Sequence, residues 1–257
     1  MALRTTVRDC LYVNWAVPSP ALPRLPEPLR HELHPADDRE WGFASALLFF
    51  HEKLRMAGVP FVRLSYPQVN LRLHVLDAEG VPSVYFRRML VPLWVVAPAR
   101  IVGGVPARSA HLELPRPSRD PEAGEWIWRV GRQGDASAMV IRARRGAPRP
   151  GAGPDVGSWE DTVRFFRERH RGYHRGGGEL QRIDTRQPRE PVWPLQVEVE
   201  GAERVARILG LSSDGCPDEP VLQLHSAWLS PEMPLLFETV PVRMPEEPVR
   251  PRVPAAG

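Results

Sequence analysis

The chain has 257 residues, 42% of them hydrophobic and 25% charged, with a formal net charge of +3. That profile fits a globular protein with one sizeable core or two small ones. It excludes a chain disordered throughout, a disulfide scaffold, and a protein whose charge alone demands a polyanionic partner. Lys53 is the only lysine, so arginine supplies 33 of the 34 basic residues, and asparagine occurs only as Asn14 and Asn70. Chemistry through a lysine imine therefore has a single candidate.

In chain order, Leu11, Val13, Trp15 and Val17 alternate as one face of a first strand. Five prolines across residues 18–28 then predict an extended surface connection. Residues 41–51 run apolar without alternation, as a strand buried on both faces or one that turns a barrel corner does. Residues 70–75 and 83–87 alternate strictly about Asp77-Ala78-Glu79-Gly80 and predict a hairpin. With those four residues as the loop, Leu71 and Leu73 share a face with Val84 and Phe86. The other face then collects Gln68, Asn70, Arg72, His74, Ser83, Tyr85 and Arg87.

Further strands are expected at 110–114, 125–130 and 137–143, the last two joined by a turn at 131–135, and then a Pro/Gly/Arg linker at 144–157. A long helix starts after Ser158, which can cap it with Asp161. Its stripe of Trp159, Val163, Phe166, His170 and Tyr173 carries it to the glycines at 172 and 176–178. A short helix at 202–209 and a strand at 221–228 follow. The expected organisation is one domain over residues 1–240 and a Pro-rich disordered tail over 241–257.

Most local motifs fail on spacing. His51-Glu52-Lys53 lacks the second histidine of H-E-x-x-H. His170 and His174 could present two imidazoles on one helical face, but no third ligand completes a metal site. Ser109, His111 and Glu113 share a strand face at steps of roughly 7 Å, too wide for a catalytic triad. No strand leads cleanly into Gly151-Ala152-Gly153-Pro154, so nothing predicts a nucleotide cofactor. Cys10 and Cys216 stand far apart, outside any C-x-x-C. Residues 142–190 hold twelve arginines against seven acids, but Trp159, Phe166 and Tyr173 are better used as core than as stacking platforms, which disfavours nucleic acid as partner. The start of the chain lacks the apolar core of a signal peptide and no apolar run approaches the ~20 residues that span a bilayer, so a cytoplasmic protein is expected.

The ordered set of segments resembles a known family. Residues 11–17, Leu25-Pro26, residues 41–50, Gln68-Val69-Asn70-Leu71-Arg72 with Gly80, Val84-Tyr85-Phe86, Ala99-Arg100, the stretch 166–173 with Glu168-Arg169-His170, Pro194, and Leu224-His225-Ser226 are together similar to the uncharacterised YqjF-like family. The likeness spans about residues 9–231. The resemblance implies an acetoacetate decarboxylase-like fold: mainly β within an α+β class, a bent antiparallel sheet closing into a barrel, with one long and one short helix outside.

It also implies that the decarboxylase's imine chemistry is missing. Ala107 stands where that family's nucleophilic lysine would be, Arg108 cannot deprotonate to attack a carbonyl, and Gln68 replaces a glutamate. The expected function is binding of a small organic acid in the lumen. Arg72, Arg100 and Arg108 would supply positive charge for a carboxylate, and Gln68, Asn70 and Tyr85 would orient neutral oxygens. Two alternatives remain. One is an enzyme of another class with His74 or His111 as proton carrier; the other is an interaction protein whose basic helix face meets an acidic partner.

Overall fold

The computed structural model describes residues 2–56, 59–132, 138–148, 151–188, 190–213 and 220–241. It is mainly β. The strands in chain order are β1 (Ala2–Pro18), β2 (Arg30–His31), β3 (His34–Ala36), β4 (Arg39–Met56), β5 (Val59–Leu76), β6 (Pro82–Val91), β7 (Ala107–Ser109), β8 (Leu112–Glu113), β9 (Trp126–Val130), β10 (Met139–Arg145), β11 (Arg171–Gly176), β12 (Glu179–Arg186), β13 (Trp193–Glu200) and β14 (Gln223–Pro241). Three α-helices interrupt them: α1 (Leu93–Gly103), α2 (Trp159–Arg167) and α3 (Ala202–Leu209).

All fourteen strands belong to one sheet. Hydrogen-bonded neighbours run β1, β4, β5, β6, β11, β12, β14, and β14 pairs again with β1, so seven strands form a ring of hydrogen bonds. The closing pair is antiparallel from Ala2↔Glu238 to Ala16↔Gln223. From β14 a second arm continues through β13, β10 and β9 to β8.

The alternation of β1 explains how one strand serves two cores. Leu11, Val13, Trp15 and Val17 point outward into a core shared with Trp128 of β9, Ile141 of β10 and Leu209 of α3. Cys10, Tyr12 and Ala16 point the other way, into a second core with Phe43, Phe49 and Trp228. Strand β4 is apolar on both sides for the same reason: Ala44, Ala46 and Leu48 face the outer core, and Phe43, Leu47 and Phe49 the inner one. Asp9 sits at φ +52 where the register with β4 shifts between Arg8 and Leu11. That bulge inserts one residue and keeps Val7 on the same side as Cys10 and Tyr12.

The hairpin forms, but its faces differ from the expected ones. Asp77 N–H donates to Val81 O, and Asp77 Oδ1 accepts from the N–H groups of Glu79 and Val81, so Val81 belongs to the turn. The loop is one residue longer than Asp77-Ala78-Glu79-Gly80, and a one-residue slip exchanges faces. His74 therefore pairs with Val84, Arg72 with Phe86, and Leu73 with Tyr85. Ser83 and Tyr85 lie on the outer side with Leu71 and Leu73, while Val84 and Phe86 join Asn70, Arg72 and His74.

The helix expected to reach the glycines after Tyr173 stops at Arg167. Its start is as expected, with a complete capping box between Ser158 and Asp161. Glu168 leaves helical geometry at ψ 55, and from Arg171 the chain pairs with β12 and β6 instead. Inter-strand pairing outcompetes the helical stripe because Gly172 has no side chain: a Cβ there would lie 2.4 Å from Phe86 Cε2. His170 and His174 thus do not share a helical face; His170 is exposed and His174 is buried on β11. There are three helices rather than two, α1 having grown from the apolar stretch after Val91. The tail beyond residue 241 lies outside the described residues, as does part of the turn at 131–135.

Candidate binding site inside the ring

All seven ring strands contribute to one small cavity that is partly continuous with solvent. Its walls differ. Strands β14, β1 and β4 supply Met233, Leu235 and Phe237, Val7, Cys10 and Tyr12, and Leu47 and Phe49; the rest of the ring mixes Asn70 and Arg72 of β5 and Thr185 of β12 with the apolar Val84 and Phe86 of β6, and Arg169 and Gln187 come from the loops. Helix α2 closes one end: Phe166 is fully buried against Phe43, His74, His225 and Trp228.

Two guanidinium groups line this space, and their circumstances are opposite. Arg169 places Nη1 2.7 Å from Glu32 Oε2 and donates from Nε to Phe165 O at 2.8 Å. Arg72 is 6% exposed and has no carboxylate partner among the described residues. Its Nη2 donates to Phe166 O at 3.0 Å, its guanidinium carbon stands 5.8 Å from the Tyr12 ring centroid, and its buried Nε has no hydrogen-bond partner. A buried cation without a counter-ion is costly. Burial, with Arg169 adding like-charge repulsion, lowers the Arg72 guanidinium to about 10, which leaves it charged at neutral pH.

Beneath Arg72 runs a hydrogen-bonded chain across four strands. Ser45 Oγ donates to Asn14 Oδ1 at 2.7 Å and lies 2.8 Å from His74 Nε2. Ser45 has one proton and spends it on Asn14, so His74 Nε2 must be the donor and its Nδ1 is bare. Asn14 Nδ2 donates to Ser226 Oγ at 3.1 Å, and Ser226 Oγ lies 3.2 Å from His225 Nδ1. His225 Nε2 is 3.2 Å from Pro154 O, an acceptor only, so it carries the proton and Ser226 donates to Nδ1. Burial, reinforced by Arg169 and Arg72, holds His74 well below the usual histidine range, and burial lowers His225 as well. Cys10 also borders the cavity, its thiol pushed up to about 12 by burial and therefore protonated.

The residues expected at the site separate into two groups. Asn70 and Arg72 line the cavity; Gln68 is buried beside them and donates from Nε2 to Asn70 Oδ1 at 2.7 Å. Tyr85 belongs to the outer core, on the far side of the sheet. Arg100 on α1 and Arg108 on β7 are exposed, Arg100 donating from Nε to Ala107 O at 3.0 Å. His111 is exposed and pairs with Glu113 at 3.1 Å. Ala107 is fully buried and Lys53 is exposed at a bulge with φ +53. Nor do the arginines around α2 form an open basic face. Arg164 pairs with Asp161, Arg167 is buried and donates to Pro188 O, and Arg171 pairs with Asp77 and Glu79.

Sequence reasoning missed Asn14, Ser45, Ser226 and the Glu32–Arg169 pair, whose members come from separate strands and loops. The one available signal was that both asparagines of the chain fall in strand segments. Among the described residues no group of three or more His, Cys, Asp or Glu side chains is placed to hold a metal ion, and no helix is long and apolar enough to cross a membrane.

A model of the DUF2071 family, described as an uncharacterized conserved protein, matches residues 4–230. No curated protein matches. Among solved structures the chain is similar to the enduracididine biosynthesis enzyme MppR with HEPES buffer bound, at TM-score 0.57 and 12% identity over 93% of this chain and 87% of that one. It is also similar to an acetoacetate decarboxylase-like enzyme from Sphingomonas wittichii RW1, at TM-score 0.55 and 16% identity over 91% and 89%. A third similar structure is MppR complexed with pyruvate, at TM-score 0.52 and 12% identity over 93% and 88%. At such identities the likeness establishes the fold, which is acetoacetate decarboxylase-like.

Proposed function

The chain belongs to the DUF2071 family of uncharacterized conserved proteins, and from the geometry of its ring we propose that it binds a small carboxylate in a barrel-like lumen, without imine chemistry. The observation that carries this reading is Arg72: a buried guanidinium bordering a cavity, unneutralised by any described carboxylate and with an unpartnered Nε. An anionic ligand would supply the missing counter-charge in a setting of low dielectric, where a charge-assisted hydrogen bond is strongest. Asn70, on the same face one inward position away, would orient a second oxygen. That a similar fold is known complexed with pyruvate, a small carboxylate, agrees with this reading. The lysine count argues against a Schiff base, because the single lysine is exposed and Ala107 has no nucleophile.

The test is thermal unfolding of the wild type and Arg72→Met with acetate, pyruvate, benzoate and hexanoate, and with the matching neutral amides. We expect acids to raise the wild-type Tm by several degrees, roughly the effect of 1–3 kcal/mol of linkage in a chain of this size. Amides should do nothing, and Arg72→Met should keep its far-UV spectrum and lose the response. Equal responses in both proteins, or none in the wild type, would overturn the proposal.

A further inference from the structure

The two walls of the cavity have a consequence for ligand class that rests on the carboxylate reading above. Of the two cations that line it, Arg169 is balanced by Glu32 and Arg72 is not, while the buried Arg167 nearby donates to the carbonyl oxygens of Glu190 and Pro188. One buried positive charge matches one negative charge; a second carboxylate would enter the same low-dielectric space unpaired. The register then fixes where the rest of the ligand goes. Arg72 lies near the end plugged by α2, since it bonds Phe166 O. Moving away from the plug, Tyr12 pairs with Trp228 and Val7 with Met233, and beyond them β14 presents Leu235 and Phe237 inward. From Met233 to Phe237 is four strand steps, roughly 13 Å of wall. Leu47 and Phe49 extend the same apolar surface onto β4.

We infer that the ligand is an amphiphilic monocarboxylate, its head on Arg72 and an alkyl tail lying along Met233, Leu235 and Phe237 of β14, away from the α2 plug. Met233, Leu235 and Phe237 carry no N–H or O–H in their side chains, so a chain lying along β14 leaves no such group unsatisfied. A short hydrophilic acid would satisfy Arg72 and leave the apolar wall in water.

Isothermal titration with the straight-chain series acetate, butanoate, hexanoate and octanoate, and with succinate and hexanamide, tests this. Each methylene that reaches the wall should tighten Kd about four-fold, from ~0.8 kcal/mol per buried CH₂. Succinate should bind no better than acetate, and hexanamide should not bind. Leu235→Phe, which narrows the wall without touching Arg72, should shift the preferred chain to a shorter acid. If all chain lengths bind alike and binding still needs Arg72, the tail assignment is wrong and the carboxylate reading survives. Tighter binding of succinate would also overturn the monocarboxylate assignment. If no acid binds, or if Arg72→Met binds them equally, both fail.

Discussion

At the residue scale the interior of the ring is a problem of protons and charges already assigned. Ser45 is the joint between two histidine-bearing segments: it accepts from His74 Nε2 and donates to Asn14. Ser45→Ala would leave a buried N–H without an acceptor and a buried amide oxygen without a donor, the costly way to lose a hydrogen bond. We expect it to lower stability by about 2–4 kcal/mol in urea unfolding. Combining it with His74→Leu should cost less than the sum of the two, because the second change removes the orphaned N–H. A loss below about 0.5 kcal/mol for Ser45→Ala would mean that the chain of bonds is not formed as described. Against this fully assigned background the bare Nε of Arg72 stands out, on a residue that the alternation of the hairpin had already made visible.

At the scale of elements, the hairpin turn between β5 and β6 governs which side chains reach the cavity. Asp77 sets it. One carboxylate oxygen accepts the N–H groups of Glu79 and Val81, and the other accepts from Arg171 Nη1 at 2.7 Å and Tyr173 Oη at 3.0 Å, tying the turn to β11. Burial alone would raise this carboxyl, but Arg171, Tyr173 and the backbone donors bring it below its ordinary value of 3.8. A depressed carboxyl contributes stability that is present above the unfolded pKa and lost as pH falls through the folded one. Asp77→Ala should therefore cost about 3 kcal/mol at neutral pH, and its deficit relative to wild type should shrink below about pH 4. A deficit constant from pH 7 to 3 would show that the charged form is not what holds the turn. The same turn explains an error of sequence reasoning. Counting four loop residues put Tyr85 with Arg72, and the fifth, Val81, reverses that pairing. Nothing in an alternating pattern fixes loop length to one residue, whereas the two faces themselves, Leu71 and Leu73 against Asn70 and Arg72, were legible because period 2 is a local property.

At the scale of the molecule, long strands account for the architecture. β1, β4, β5 and β14 run 17 to 19 residues, far beyond the usual 5–6, so each can close the ring and also floor a second core. The unbroken apolar run of β4 pointed to double burial or to a barrel corner, and its residues do enter both cores. The closing pair was not, because β1 and β14 meet from opposite ends of the chain and no local signal records that encounter. The same distance hid Asn14–Ser226 and Glu32–Arg169, while Arg100 and Arg108, placed at the site by resemblance, lie exposed outside the ring. Arg88 is half-buried, and its pKa is lowered first by burial and then by Arg108, Arg87 and Arg100, so an arginine cluster outside the cavity offers the competing place for an anion. A crystal structure of the wild type with hexanoate distinguishes the two directly. The account predicts a carboxylate inside the ring with an oxygen about 2.7–3.0 Å from the Arg72 guanidinium and its chain along Met233 and Leu235. A hexanoate held outside the ring by Arg88, Arg100 and Arg108, with Arg72 unengaged, would contradict it.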